Sequence, residues 1–317
     1  MELIFKRLVK LKQAVLPKDQ DVLRTRIVSP QELLQEKDLW ETPIMEELTQ
    51  LVEGKNVLRK IDAATLRQLQ QEHASVEIVP SKMVLTLKPG PRRRARMVGC
   101  GNFCQKQEGQ ELYAGGADTV AVRYVLKRGA EEGWCGCVLD IKAAFLNAPL
   151  QSDDGDKAVV LKPPHLLVKL GYVKADEFFL VEKAMYGLRQ SPRSWCIYRD
   201  QELTKMKTKE GRIFVVSVGD PNLWGIYMGE RLDGFILIYV DDFLIMAIQA
   251  GLKDVLDEIA AKWETSTPEM IEENASVKHL GMELRKHPAG FVATQENYIR
   301  DKIDGDFKRS QSNADDQ

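Results

Sequence analysis

The sequence predicts an α+β fold built on a mainly antiparallel sheet. Three observations predict it. Apolar runs rich in Ile, Val, Phe and Tyr come in adjacent pairs joined by short turns, with "GFILIYVDDFLIMA" the clearest. Stretches with helical spacing fall between such pairs without the regular alternation of a doubly wound sheet. The 317 residues, 44% apolar and 29% charged, suffice for one large domain or two ordinary ones with a sizeable core.

The elements follow in chain order. Residues 1 to about 55 mix apolar and charged groups without a clean period and are punctuated by Pro17, Pro30 and Pro43. Within them "SPQELLQEKDLW" reads as a helix, with Ser29 as cap and Pro30 at its first position. In "NVLRKIDAATLRQLQQEH" Leu58, Ile61, Leu66 and Leu69 fall on one helical face, which predicts a single helix. "EIVPSKMVLTLKPGPRRRARMVGCGNF" reads as two extended segments: Met83, Leu85 and Leu87 alternate with Val84, Thr86 and Lys88, and the Pro-Gly-Pro step with the arginines forms the connection. "DTVAVRYVLKRGAEEGW" predicts a helix capped by Asp118 or Thr119, and "CGCVLD" a short strand ending at Asp140. "QSDDGDK" is a polar loop, "AVVLKPP" and "FFLV" are strands, and a helix begins near Pro192. "GRIFVVSVGDPNLWGIYM" predicts a strand pair around "GDPN". "GFILIYVDDFLIMA" predicts strand, two-residue turn, strand. Leu252, Val255, Leu256, Ile259 and Trp263 make one helical stripe, and "VKHLGMELRKHPAGFVATQ" predicts a second hairpin. The end begins helical and fades into a polar, disordered tail at 306–317.

Composition narrows the function classes. No run of about 18 uncharged apolar residues predicts a membrane span. "MELIFKRLVKLKQAVLPKDQ" carries charges inside its apolar part and no small-residue cleavage site, so it does not read as a secretory signal and the default is an intracellular protein. Five cysteines, Cys100, Cys104, Cys135, Cys137 and Cys196, are too few and odd in number for a disulfide framework. "CGNFC" and "CGC" lack the two-residue spacing of common zinc sites, which leaves reduced, mostly buried thiols as the plain reading. The net charge of −2 hides a local imbalance: Lys88 to Arg96 is strongly basic and the C-terminal end is acidic.

Asp241 and Asp242 stand between two of the most apolar runs in the chain. Hairpin turns favour Asn-Gly or Asp-Gly, which reach positive φ cheaply, so an Asp-Asp turn is a poor choice on backbone grounds. Adjacent like charges beside buried strands also repel, and a divalent cation relieves them. Asp140 ends another apolar strand, and if the two strands are sheet neighbours the three carboxylates converge. Hard oxygen donors of this kind suit Mg²⁺ together with substrate phosphates, and paired metals serve phosphoryl transfer. On spacing alone, two ordinary strand-ending turns remain the alternative.

Four motifs in order, "LDIKAAFLNAPL", "YGLRQSPRSW", "LIYVDDFLIMA" and "VKHLGMEL", resemble the reverse transcriptase domain of copia-type, Pseudoviridae-like LTR retrotransposon Pol polyproteins. The resemblance covers about Pro80 to Ile303, and "RARMVGCGNFCQKQEGQEL" is similar to the basic segment before the family's first motif. It implies a right-hand polymerase with fingers and palm at 76–305, an unassigned and partly helical extension at 1–75, and a thumb that is truncated or absent. It implies RNA-directed DNA polymerase activity with two Mg²⁺ or Mn²⁺ ions held by Asp140, Asp241 and Asp242. Implied nucleotide-binding residues are Lys88, Arg94 and Arg96 on the fingers hairpin, Phe145 as a steric gate against a ribose 2′-OH, Gln190, and Tyr239 near the primer terminus. Read without the resemblance, Phe145 is a core aromatic and the basic run a solvated loop or a template-phosphate contact. Implied partners are an RNA or DNA template with primer, dNTPs, and integrase and RNase H domains of a full polyprotein, in cytoplasmic virus-like particles or the nucleus. Protease, integrase and RNase H sequences are missing from the 317 residues, and "ELYAGGADTVAVRYVL" departs from the usual family text. The competing readings are an inactive or domesticated fragment that binds nucleic acid or a partner, and a metal-dependent nuclease.

Overall fold

The computed structural model describes residues 25–88, 90, 92–104, 116–150, 157–296 and 298–300. The readings of residues 1–24, of the loop at 151–156, of Pro89 and Pro91 and of the tail lie outside them. The chain divides into two compact units. One is drawn from Met1–Leu112 and Ala148–Ser194, the other from Tyr113–Asn147 and Trp195–Gln317. The sheets are mainly antiparallel, as the sequence predicts.

In the first unit, helix α1 (Pro30–Gln35) starts as expected: extended Ser29 accepts the Glu32 N–H at 3.2 Å and Pro30 opens the helix. Helix α2 (Lys37–Thr49) buries Trp40, Ile44 and Leu48 and runs on into a π-helical turn at Gln50–Gly54. The single helix expected over residues 56–73 is instead strand β2 (Leu58–Ile61) followed by helix α3 (Ala63–Glu72). Asp62 divides them: it is extended, and its carboxylate accepts the Thr65 N–H at 2.7 Å, which starts a new helix there. Leu58 and Ile61 are the two buried ends of a strand, a spacing of three that also fits a helical face.

Strands β3 (Ser75–Val79), β7 (Lys157–Leu161) and β8 (Phe178–Val181) join β2 in a four-stranded sheet of order β2-β8-β7-β3, with β3 and β7 parallel and the short helix α5 (His165–Lys169) between β7 and β8 in the chain. Strands β4 (Ser81–Lys88) and β5 (Arg92–Gly99) form a hairpin, and the short strand β1 (Arg26–Ile27) pairs with β4. Here too the expectation is corrected: Arg92, Arg93, Arg94 and Arg96 lie in β5 itself, opposite β4, and not in the connection. Glu47 of α2 accepts the Met97 N–H at 2.9 Å and ties the helix to β5.

The second unit holds a six-stranded sheet of order β13-β6-β12-β11-β10-β9: β6 (Cys135–Asp140), β9 (Ile213–Val216), β10 (Leu223–Met228), β11 (Arg231–Tyr239), β12 (Asp242–Ala247) and β13 (Glu269–Met270). Helix α4 (Thr119–Glu131) is capped by Asp118, one of the two caps expected. Strand β12 is wholly buried from Phe243 to Ala247. Its Leu244 and Met246 pack with Val138, Leu237, and Val122, Val125 and Leu126 of α4. On its other face Phe243 meets Trp263, the cap of helix α7 (Gln249–Lys262), at 6.3 Å between centroids. Each such buried side chain contributes about 1.5–3 kcal/mol, so the strand bearing Asp242 is firmly fixed. The stripe on α7 is as expected at Leu252, Val255 and Ile259, while Leu256 is half-buried.

The second hairpin expected after Ser276 is three strands, β14 (Val277–His279), β15 (Met282–His287) and β16 (Gly290–Thr294). Leu280 and Gly281 turn the chain with φ of 50° and 74°, the left-handed pair that a two-residue loop favours. No helix among the described residues is long and apolar enough to cross a membrane.

Candidate active site at the edge of the six-stranded sheet

Strand pairing decides the position of the carboxylates. Antiparallel β6 and β12 are neighbours, and their register sets Asp242 opposite Asp140. Directly opposed residues share a sheet face, so the two carboxylates lie on one side at one edge. Like charges so placed destabilise a sheet by about 0.2–1 kcal/mol. Burial, and then the charge of Asp241, push the Asp242 carboxyl above the usual carboxylate range.

The hairpin closes differently from the sequence expectation of a turn at the Asp-Asp pair. Tyr239 pairs with Asp242, so the two loop residues are Val240 and Asp241. Val240 has a φ of 58°, a left-handed conformation that is a clear outlier for a β-branched residue and costs on the order of 1–3 kcal/mol. Both loop carbonyls are held. The Trp195 indole Nε1–H donates to the Val240 carbonyl at 2.7 Å, and the Ile141 N–H donates to the Asp241 carbonyl at 2.8 Å.

Asp140 is fixed through its backbone. Its N–H donates to Ser266 Oγ at 2.9 Å, and its carbonyl accepts the Ser266 N–H at 2.8 Å. After it the chain turns through Ala143 at a φ of 51° into a 3₁₀ turn, Ala144–Asn147, which carries the half-buried Phe145. Tyr239 is 41% exposed and lies over the Gly116 backbone: a Cβ on Gly116 would stand 2.3 Å from the ring. A side chain at position 116 would displace the ring. Trp195, Ser266 and Gly116 carry no local signal of these roles, since each acts on a segment remote in sequence.

Lys88, Arg94, Arg96 and Gln190 belong to the first unit. The register of its hairpin pairs Lys88 with Arg92, Thr86 with Arg94 and Val84 with Arg96, so four cations share one face of the ribbon. Arg92 was not singled out by sequence; its signal is the two-residue spacing to Arg94. Arg93 points to the opposite face, where it pairs with Glu36 at 3.0 Å and lies 5.8 Å from the Trp40 ring. Burial first, then Arg94, Arg92 and Arg96, pull the Lys88 pKa down. Arg94 is lowered by burial and then by Arg96. Arg96 lies over the Tyr186 ring at 4.3 Å. Such a stripe of mutually repelling cations is suited to a polyanion. Gln190 is half-buried in the turn before helix α6 (Ser191–Lys205), where its carbonyl accepts the Ser194 N–H at 2.9 Å.

Among the described residues, no three His, Cys, Asp or Glu side chains are gathered closely enough to hold a metal ion by themselves. Mg²⁺ takes one or two carboxylates and completes its shell with water and substrate phosphate. The opposed Asp140–Asp242 pair beside Asp241 fits that donor set in its chemistry.

A family model described as reverse transcriptase (RNA-dependent DNA polymerase) matches residues 67–315. The chain is 28% identical over 237 residues to the retrovirus-related Pol polyprotein from transposon RE2 of Arabidopsis thaliana, covering 72% of this chain and 15% of that one. It is 29% identical over 260 residues to the retrovirus-related Pol polyprotein from transposon RE1 of the same plant, covering 79% of this chain and 16% of that one. It thus spans less than a fifth of the length of these relatives. A solved foamy viral protease-reverse transcriptase in complex with dsDNA has 17% identity and a TM-score of 0.46, over 83% of this chain and 43% of that one.

Proposed function

The chain belongs to the reverse transcriptase (RNA-dependent DNA polymerase) family, and we propose that it extends the 3′-OH of a primer with dNTPs on an RNA or DNA template. The observation that carries the reading is the register that sets Asp242 opposite Asp140 at the sheet edge, beside Asp241 in a held loop. In the reaction the primer 3′-oxygen bonds to the α-phosphorus, the bond to the β-phosphate oxygen breaks, and pyrophosphate leaves while the hydroxyl proton passes to solvent.

Asp140, Asp241 and Asp242 would hold two Mg²⁺ or Mn²⁺ ions. Such ions supply activation of the attacking hydroxyl and stabilisation of the leaving pyrophosphate. The residues of the chain bind and orient. Lys88, Arg94 and Arg96, with Arg92 beside them, neutralise the triphosphate, since phosphoryl transfer depends on positioning and charge. Phe145 closes the space a ribose 2′-OH would need, Gln190 contacts the nucleotide and template side, and the Tyr239 ring lies along the primer end. In a full element, integrase and RNase H domains would accompany this one within cytoplasmic particles or the nucleus.

Labelled-primer extension on a primed RNA template, with and without Mg²⁺, tests the reading. Metal-dependent lengthening that Asp241→Asn abolishes supports it, and lengthening that the variant leaves undiminished overturns it. A second reading, binding without catalysis, has one observation in its favour: the four cations of the β4–β5 ribbon suffice for phosphate contact without the carboxylates. Template binding without extension would select it, and shortened primers would select a nuclease.

A further inference from the structure

Building on the reading of Asp140, Asp241 and Asp242 as a metal centre, we infer that Trp195 is its positioning residue, holding the Val240–Asp241 loop in a left-handed conformation through the 2.7 Å bond from its indole N–H to the Val240 carbonyl. A β-branched residue at a φ of 58° persists only where its surroundings over-determine it. Three contacts do so here. Tyr239 and Asp242 close the hairpin below the loop. The Ile141 N–H takes the Asp241 carbonyl from the neighbouring strand side at 2.8 Å. Trp195 takes the Val240 carbonyl.

The third contact sets the carboxylate. The Val240 carbonyl and the Asp241 N–H belong to one planar peptide unit. Fixing that oxygen fixes the rotation of the plane, and with it the direction in which the Asp241 side chain leaves the loop. The donor is itself rigid. Trp195 is fully buried and meets Trp263 edge-on at 5.5 Å between centroids. Trp263 in turn meets Phe243, the residue after Asp242, at 6.3 Å. The loop carbonyl, the two indoles and the strand after the carboxylates therefore form one closed circuit. A chain without the donor would let Val240 relax to negative φ and carry Asp241 away from Asp140.

The test compares the full chain with Trp195→Phe, which keeps an aromatic ring and removes the N–H, and with Val240→Pro, which fixes φ near −65° at the loop and leaves the core untouched. Mn²⁺ affinity is read by titration calorimetry, and local hydrogen exchange across Tyr239–Asp242 by mass spectrometry. Both variants are expected to weaken Mn²⁺ binding by about tenfold or more, as loss of a group that orients a metal ligand typically does. Adding Val240→Gly to Trp195→Phe is expected to recover most of that loss, because glycine takes positive φ without help. A packing role alone would lower the melting temperature and leave Mn²⁺ affinity and its rescue unmoved, which overturns the assignment. Should Trp195→Phe not fold, Val240→Pro decides: affinity equal to the unaltered chain overturns it. An unaltered chain whose Mn²⁺ binding does not depend on Asp241 sinks the metal reading instead. In that case exchange still decides the role of Trp195: faster exchange in Trp195→Phe confined to Tyr239–Asp242 supports it, and unchanged exchange there overturns it.

Discussion

Replacement of His279 by Leu should abolish a specific acid sensitivity of the second unit. His279 ends β14 in the "VKHLGMEL" motif, is 2% exposed, and neither ring nitrogen finds a hydrogen-bond partner among the described residues. Burial without a partner disfavours the imidazolium and pushes the pKa down from 6.5 to about 4. The folded chain thus holds His279 neutral while the unfolded chain protonates it. Stability from this group is fully present above pH 6.5 and is lost as pH falls toward 4. The span corresponds to about 3 kcal/mol, or roughly 6–12 °C in melting temperature for a unit of this size. Between pH 7 and pH 4 the unaltered chain should lose that much more than His279→Leu, whose remaining loss comes from carboxylates common to both. At pH 7 the variant should also be more stable by about 1–3 kcal/mol, since two unsatisfied buried nitrogens are gone. Tryptophan fluorescence in denaturant titrations is the assay, because Trp134, Trp195, Trp224 and Trp263 all lie in the second unit. Equal pH dependence in the two proteins would refute the reasoning.

Asp242→Asn should raise the stability of the metal-free chain by about 0.2–1 kcal/mol by removing a half-buried charge beside Asp241, while abolishing primer extension; thermal melts at pH 7 check the first and gel assays the second. The ionised Asp242 destabilises the fold above its raised pKa, so the gain should vanish as pH falls below the usual carboxylate range. Phe145→Ala should narrow the preference for dNTPs over rNTPs by at least about tenfold, measured as a ratio of kcat/KM. Lys88→Ala should raise the dNTP KM by about tenfold, the loss of one charge-assisted phosphate contact, and leave the melting temperature nearly unchanged.

Local rules made much of the fold legible. Alternation at Met83, Leu85 and Leu87 gave β4, and Ser29-Pro30 and Asp118 marked two helix starts. Where two periods coincide, legibility failed: Leu58 and Ile61 suit a helix and a strand alike, and only Asp62 capping Thr65 resolves them. The run "PRRRAR" read as a connection because Pro-Gly-Pro dominates turn propensity, yet pairing with β4 draws the arginines into a strand. The apolar strands ending at Asp140 and Asp241-Asp242 were visible, but their register was not, since pairing between segments so far apart is tertiary information. The loop itself was misplaced by one residue. No propensity places valine at positive φ; the Trp195 and Ile141 hydrogen bonds do, and neither partner is near in sequence.

The most direct measurement is single-turnover extension of a labelled primer on an RNA template by the chain and by Asp241→Asn, across a Mg²⁺ titration. Saturable Mg²⁺ dependence, with a rate reduced at least about a hundredfold in the variant, is the result predicted. Extension that needs no divalent ion, or that proceeds at the same rate with asparagine at position 241, would contradict the assignment of the carboxylates.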